Sequence, residues 1–174
     1  MNVIENQQLW FDNVLSYRTR VEKDSLGDMI KHICDNIVVL GLEITDNIVL
    51  TVSEETEESK QTILGVEVII PVNKPLKSTC HYIFKPHFRL ENAVLLTYCG
   101  NVGELPKVNK RLCEYALSKQ YSPLTGVYFS IKQMCGNDIV NIALHILLKN
   151  FEQQCNGINE IVANAYMGIN GNLL

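Results

Sequence analysis

One unit is written twice in this chain. Residues 14–73 and 93–150 run through the same order of patterns: strand, capped helix, turn, strand, loop, strand. Laid over one another, Leu26 falls on Leu105, Met29 on Val108, Ile33 on Leu112, Cys34 on Cys113 and Ile37 on Ala116. The offset is constant, because 105 − 26 and 113 − 34 both give 79. It holds through the following strand, where Ile48-Val49-Leu50-Thr51 falls on Val127-Tyr128-Phe129-Ser130. Two copies of a small unit paired about a pseudo-two-fold axis share a groove, and a groove at an internal interface is a common ligand site. The repeat predicts an α+β fold: a tandem duplication of a strand–helix–strand–strand unit forming an antiparallel sheet with two helices. The expected layout is a single domain over 1–174, with a first repeat at 11–73, a linker at 74–81, a second repeat at 82–150 and a C-terminal extension at 151–174.

The 174 residues suffice for one domain with a real core. Hydrophobic residues make up 47% and charged residues 20%, the balance of a soluble globular protein. A net charge of −4 and the lack of any Lys/Arg cluster argue against nucleic acid, which needs a basic face. No segment reaches the roughly 18 apolar residues that span a bilayer, so no membrane partner is expected. The first eight residues have neither a basic start nor an apolar run, so no signal peptide is read and a cytoplasmic location is expected. The six cysteines are scattered and are expected to be free thiols, with Cys34 and Cys113 as small core residues.

Local patterns place the elements. Residues 13–21 read as a strand, preceded by an N-terminal extension whose Leu9-Trp10-Phe11 packs on the body. Asp24-Ser25 offers an N-cap, with Asp28 three residues after Ser25. The helix that follows carries Leu26, Met29, Ile30, Ile33, Ile37 and Leu40 on one stripe and stops at Gly41. Strands are expected at 48–53 and 63–72, separated by a solvated loop at 54–59 that holds four Glu. A short strand at 80–88 precedes the second copy. That copy reads as strand 93–99, turn 100–103, helix 104–119 with Pro106 in its first turn, turn 122–126, and strands 127–132 and 139–148. A short helix is expected at 157–167, before a frayed end at 168–172.

Two stretches are similar to a known family. Val94-Leu95-Leu96-Thr97-Tyr98-Cys99-Gly100-Asn101-Val102-Gly103-Glu104-Leu105-Pro106 is a strand, then Gly, then a helix start. Gly65-Val66-Glu67-Val68-Ile69-Ile70-Pro71-Val72 sets an acid before an apolar run and Pro-Val. Together they resemble the GyrI-like small-molecule-binding domain, which occurs in gyrase inhibitor-like proteins and as the effector-binding domain of some AraC- and MerR-type regulators. The resemblance covers both copies. It implies a pocket at the pseudo-two-fold that takes apolar, aromatic or cationic compounds with aromatics and a buried acid. Glu67 matches the family's acidic position in the first closing strand. Its counterpart in the second copy is Ala143, and Leu147 stands where the second Pro would be. The lost second acid, on which the family's cation-binding members rely, argues against cation binding. A fainter resemblance is to uncharacterised proteins of Gram-positive bacteria encoded near type VII secretion systems, and it implies a cytosolic accessory protein. With no DNA-binding segment ahead of the repeat, a stand-alone protein is expected rather than a regulator.

Period-two reading then sorts the strands into faces. Ile142, Leu144, Ile146 and Leu148 form a core face, while Asn141, Ala143 and His145 point the other way, alongside Glu67 and Ile69 of the first copy. Tyr128 and Ser130 share that face, opposite Val49 and Thr51. Tyr17 and Tyr98 end the two first strands as near-equivalents. The candidate ligand-binding set is therefore Tyr17, Glu67, Tyr98, Tyr128 and His145, with aromatics stacking on a flat ligand and Glu67 or His145 holding its polar end. The expected function is non-catalytic binding of a small apolar or aromatic molecule in the groove between the halves. The main alternative is a protein–protein interaction or secretion-accessory module, or a homodimer, that kept the fold without a ligand. A lesser one is a hydrolase of strained-ring compounds, with Glu67 and a tyrosine activating water. No cofactor or catalytic residue is assigned. Cys80-His81 with His87 lacks a fourth ligand, so no metal is expected, and no Gly-rich phosphate loop is present.

Overall fold

The computed structural model describes residues 3–58, 61–101, 104–123, 125–135 and 139–150. The elements are β1 (Val3–Glu22), α1 (Leu26–Val39), β2 (Val49–Glu58), β3 (Gln61–Pro71), β4 (Ile83–Asn101), α2 (Leu105–Ser118), β5 (Tyr121–Pro123), β6 (Tyr128–Cys135) and β7 (Ile139–Asn150). Antiparallel strands with two helices make this the α+β fold that the repeat predicts. The chain divides into two compact units, Leu9–Arg89 and Met1–Gln8 with Leu90–Leu174. They are called the first-copy and second-copy units below.

The offset of 79 runs deeper than the helices. Both helices are 14 residues long, and 105 − 26 and 118 − 39 both give 79. The register of β2 on β3 slips between Val52 and Glu54, and that of β6 on β7 between Ile131 and Gln133, so the same bulge sits 79 residues apart. Left-handed backbone recurs at Asn13 and Asn92, and again at Gly41 and Gln120, each pair at that spacing. Asn is among the few side chains that tolerate this conformation. Each unit also has the same local order. In the first copy β3 lies between β1 and β2, and in the second β7 lies between β4 and β6.

Each helix exists because it buries one stripe on its own strands. In the first-copy unit Ile33 and Ile37 of α1 pack on Leu15, Leu50, Val66, Val68 and Ile70, with Leu26 and Met29 at the margin. Gly41 then ends α1 with a left-handed turn (φ 67°), its N–H donating to Val38 O while Leu42 N–H donates to Ile37 O. These paired bonds satisfy carbonyls that the helix leaves open. In the second-copy unit Val108 and Leu112 pack on Val94, Leu96, Leu144 and Ile146. Cys113 is buried and Cys34 half-buried, and burial raises the pKa of the Cys34 thiol.

Several expectations change. Ser25 holds the N-cap position of α1 but makes no side-chain capping bond. The acidic stretch at 54–58 is strand rather than loop, pairing Glu57 with Thr62 and Glu58 with Gln61. Cross-strand pairing and the Arg20–Glu58 ion pair (2.7 Å) support it where apolar burial does not. The expected extension at the N-terminus belongs to β1, and the strands expected at 80–88 and 93–99 are one strand, β4. Of Leu9-Trp10-Phe11, Phe11 is buried and stacks on Phe88, whereas Trp10 is exposed beneath Arg89, 4.8 Å from its ring centre. The expected helix at 157–167 and the frayed end lie outside the described residues, as do the side chains of Asn141, Ile142, Leu147 and Leu148.

The left-handed kink yields a test. Asn13→Gly should leave the urea midpoint close to wild type, whereas Asn13→Val should cost about 1–2 kcal/mol, because a β-branched side chain clashes in that conformation. Equal stability of the two variants would contradict the backbone described here.

Candidate functional site

Alternation along β3 sets the chemistry of the first-copy unit. Leu64, Val66, Val68 and Ile70 face α1, so Gly65, Glu67 and Ile69 face the opposite way. Register brings Arg18 of β1 and Thr51 of β2 beside Glu67 on that face. The bulge after Val52 turns Ser53 toward the same place, where its hydroxyl donates to Gly65 O at 3.1 Å. A cavity of about 480 Å³ results, lined chiefly by Arg18, Arg20, Thr51, Ser53, Gly65 and Glu67.

Glu67 is the centre of this face. Its carboxylate accepts hydrogen bonds from Ser16 Oγ (2.5 Å), Lys85 Nζ (2.8 Å) and Arg18 Nη2 (3.0 Å). Its side chain is only 14% exposed, against 67% for Arg18. Burial pushes the Glu67 pKa up, but the bonds from Lys85, Ser16 and Arg18 together outweigh it and hold the group below its ordinary value of 4.5. Glu67 is therefore a carboxylate with three donors already in place. Beside it, Arg20 is engaged by Thr56 and Glu58.

Tyr17 lies on the other face. It packs with the α1 core and sits 5.4 Å from Tyr82, ring centre to ring centre. Together they wall a cleft of about 560 Å³ whose opposite side is the α1 stripe Asp28, Met29, His32, Ile33 and Asn36. Burial raises the Tyr82 pKa, and its hydrogen bond with Asn36 offsets part of that rise. The sheet thus separates Tyr17 from Glu67, and one ligand cannot touch both within this unit.

The second-copy unit repeats this split. Tyr98 packs with the α2 core and its hydroxyl donates to Asn101 O at 3.0 Å. Tyr128 and His145 are cross-strand partners on the opposite face, next to the pair Ser130 and Ala143. His145, Ser130 and Ala143 are buried. By the shared register Tyr17 is equivalent to Leu96, and Tyr98 to Thr19, so the two tyrosines are offset by two residues. The equivalent of the Arg18–Glu67–Thr51 row is Thr97–Ala143–Ser130, a row with no charge.

The five expected site residues therefore fall into three groups. Tyr128 and His145 meet, Glu67 occupies the equivalent face of its own unit, and Tyr17 and Tyr98 are on the helix sides. Three residues were missed. Ser16 and Arg18 follow from applying period two to β1, whose polar positions alternate with Leu15 and Tyr17. Lys85 was hidden because β4 was read as two short strands.

No protein-family model matches the chain, and no curated protein matches it. Among solved structures it is similar to the EcmrR C-terminal domain, at 16% identity and a TM-score of 0.62, covering 86% of this chain and 99% of that one. It is similar to EcmrR in an EcmrR–DNA complex, at 18% identity and a TM-score of 0.65, covering 86% of this chain and 57% of that one. It therefore spans a little over half of that longer chain. A hydrolase from Listeria innocua matches at 9% identity and a TM-score of 0.53, covering 85% of this chain and 91% of that one. At these identities the likeness shows the shared fold.

The Glu67 cluster predicts a pH dependence. A carboxylate with a depressed pKa contributes stability above its unfolded value, and that stability is lost as pH falls through the folded value. Urea midpoints of wild type and Glu67→Gln should therefore differ at neutral pH and converge as pH drops below 4.5. A gap that persists undiminished in acid would show that ionisation of Glu67 does not carry the effect.

Proposed function

We propose that this chain is a non-catalytic binding protein for a small molecule with an apolar or aromatic body, received on the Glu67 face of the first-copy unit. One observation carries the reading: a half-buried carboxylate, kept ionised by three donors, at a cavity of about 480 Å³ shaped by a bulge and by Gly65. Cavities of roughly 300–1,000 Å³ with a few convergent polar groups are the usual form of small-molecule sites. Bulges are also over-represented beside such sites, where they re-aim a side chain. In the second-copy unit Tyr128 occupies the corresponding face, and its cross-strand partner His145 is buried there. Tyr17 and Tyr98 are left out, because they pack on the helices.

Non-catalytic binding suits Glu67 better than hydrolysis. A general base works best with a pKa near the operating pH, whereas Glu67 is held below the ordinary carboxylate range and its oxygens are already engaged. The likeness to the Listeria innocua hydrolase concerns the fold alone.

A second reading has its own support. At the end of α1, Val38 is 72% exposed and Val39 84%, with Leu40 and Ile44 also exposed. Clustered exposed apolar residues favour a partner surface, which suits an interaction module or a homodimer.

Native mass spectrometry of gently purified protein separates the two. A small-molecule adduct on wild type that disappears in Ser53→Trp, which fills the cavity from an exposed bulge position, is the expected result. A bare chain in both, running as a dimer or with a co-purified protein, would replace ligand binding with the interaction module.

A further inference from the structure

Resting on the reading of the Glu67 face as a ligand site, we infer that it takes an organic anion: a small aromatic or alicyclic carboxylate or sulfonate whose acid group docks on Arg18 and Lys85. An acid at the heart of a site suggests a cationic ligand at first sight, but the neighbours of this one reverse the sign. Two cations sit on a single carboxylate, Arg18 at 3.0 Å and Lys85 at 2.8 Å, leaving one positive charge in surplus. Ser16 adds a third donor from beneath.

Hydrogen-bonding capacity points the same way. An ionised carboxylate offers about four lone-pair sites and no donor, and three of those of Glu67 are in use. A ligand ammonium would compete for what remains while standing next to two like charges. The donors are in the opposite state. A guanidinium has about five N–H groups and an ammonium about three. Among the described residues Arg18 and Lys85 each make one ion pair, both with Glu67. Arg18 is also well exposed and opens onto the cavity. Its planar fork is suited to grip a carboxylate or sulfonate through two parallel bonds.

Glu67 acquires a defined role in this arrangement. It is the internal stand-in for the ligand's acid, keeping two cations together on a sheet face until an external anion shares them. Thr51 adds a hydroxyl beside the entering group, and the missing side chain at Gly65 leaves room for the ligand body. In the second copy the equivalents of Arg18, Glu67 and Thr51 are Thr97, Ala143 and Ser130, which carry no charge.

A matched pair of probes with one ring system tests the sign. Naphthoate and naphthylmethylammonium are titrated into the full chain at neutral pH by isothermal titration calorimetry, with wild type, Arg18→Gln, Glu67→Gln and Ser53→Trp. Naphthoate is expected to bind wild type at least about tenfold more tightly than the ammonium, in line with the gain from a charge-assisted bond. Arg18→Gln should weaken it by about tenfold, and Glu67→Gln should strengthen it by freeing both cations. Far-UV circular dichroism confirms that each variant is folded, and Ser53→Trp keeps the charges intact while blocking the cavity. Tighter binding of the ammonium, lost in Glu67→Gln, would overturn the anion assignment and leave the binding site standing. No binding of either probe, or binding untouched by both Arg18→Gln and Ser53→Trp, would overturn the site itself along with the assignment.

Discussion

Strict alternation of side chains across a strand is the constraint from which this structure follows. β3 sends Leu64, Val66, Val68 and Ile70 to α1 and leaves Gly65, Glu67 and Ile69 for the far face. Because α1 must bury Ile33 and Ile37 on the apolar parity, the helix and the carboxylate cannot share a side. A register slip of one residue would turn Glu67 toward the helix and the valines away from it. The polar face is therefore as firmly determined as the core, since the same alternation produces both.

Duplication supplied the frame and divergence supplied the chemistry. The two copies share helix length, bulge position and the left-handed residues at Asn13 and Asn92. These are backbone features, and they persist where the side chains have changed. The face opposite the helix kept a row of Arg18, Glu67 and Thr51 in one copy and an uncharged row in the other. Tyr128 and His145 stand where the first copy has Val49 and Ile69. These positions lie on the parity that the helix does not cover, yet Val49, Ile69, Ser130, Ala143 and His145 are buried there, so packing limits what each copy can carry.

The sequence carried much of this openly. The repeat, both helices and the parity of Glu67, Tyr128 and His145 were legible, because apolar periods of 3.6 and 2 are direct images of burial. Tyr17 and Tyr98 were misplaced by matching residue type instead of register. Identical Asn13 and Asn92 sit at the offset of 79 and would have aligned Tyr17 with Leu96. The length of β4 and the strand character of 54–58 were not legible. Polar strand ladders gain their support from cross-strand partners far away in the chain, such as Arg20 for Glu58, and a local pattern cannot register that. Lys85 was lost for the same reason, as its partner is 18 residues distant on another strand.

The central claim is that the face of Glu67, and not the tyrosine-walled cleft on the other side of the same sheet, receives the ligand. Backbone amide mapping by two-dimensional NMR with naphthoate tests it most directly. The account predicts shift changes concentrated at Arg18, Thr51, Ser53 and Glu67, with the amides of Asp28, His32 and Tyr82 unmoved. Changes centred on α1 and Tyr82 instead would place binding on the helix side and contradict it.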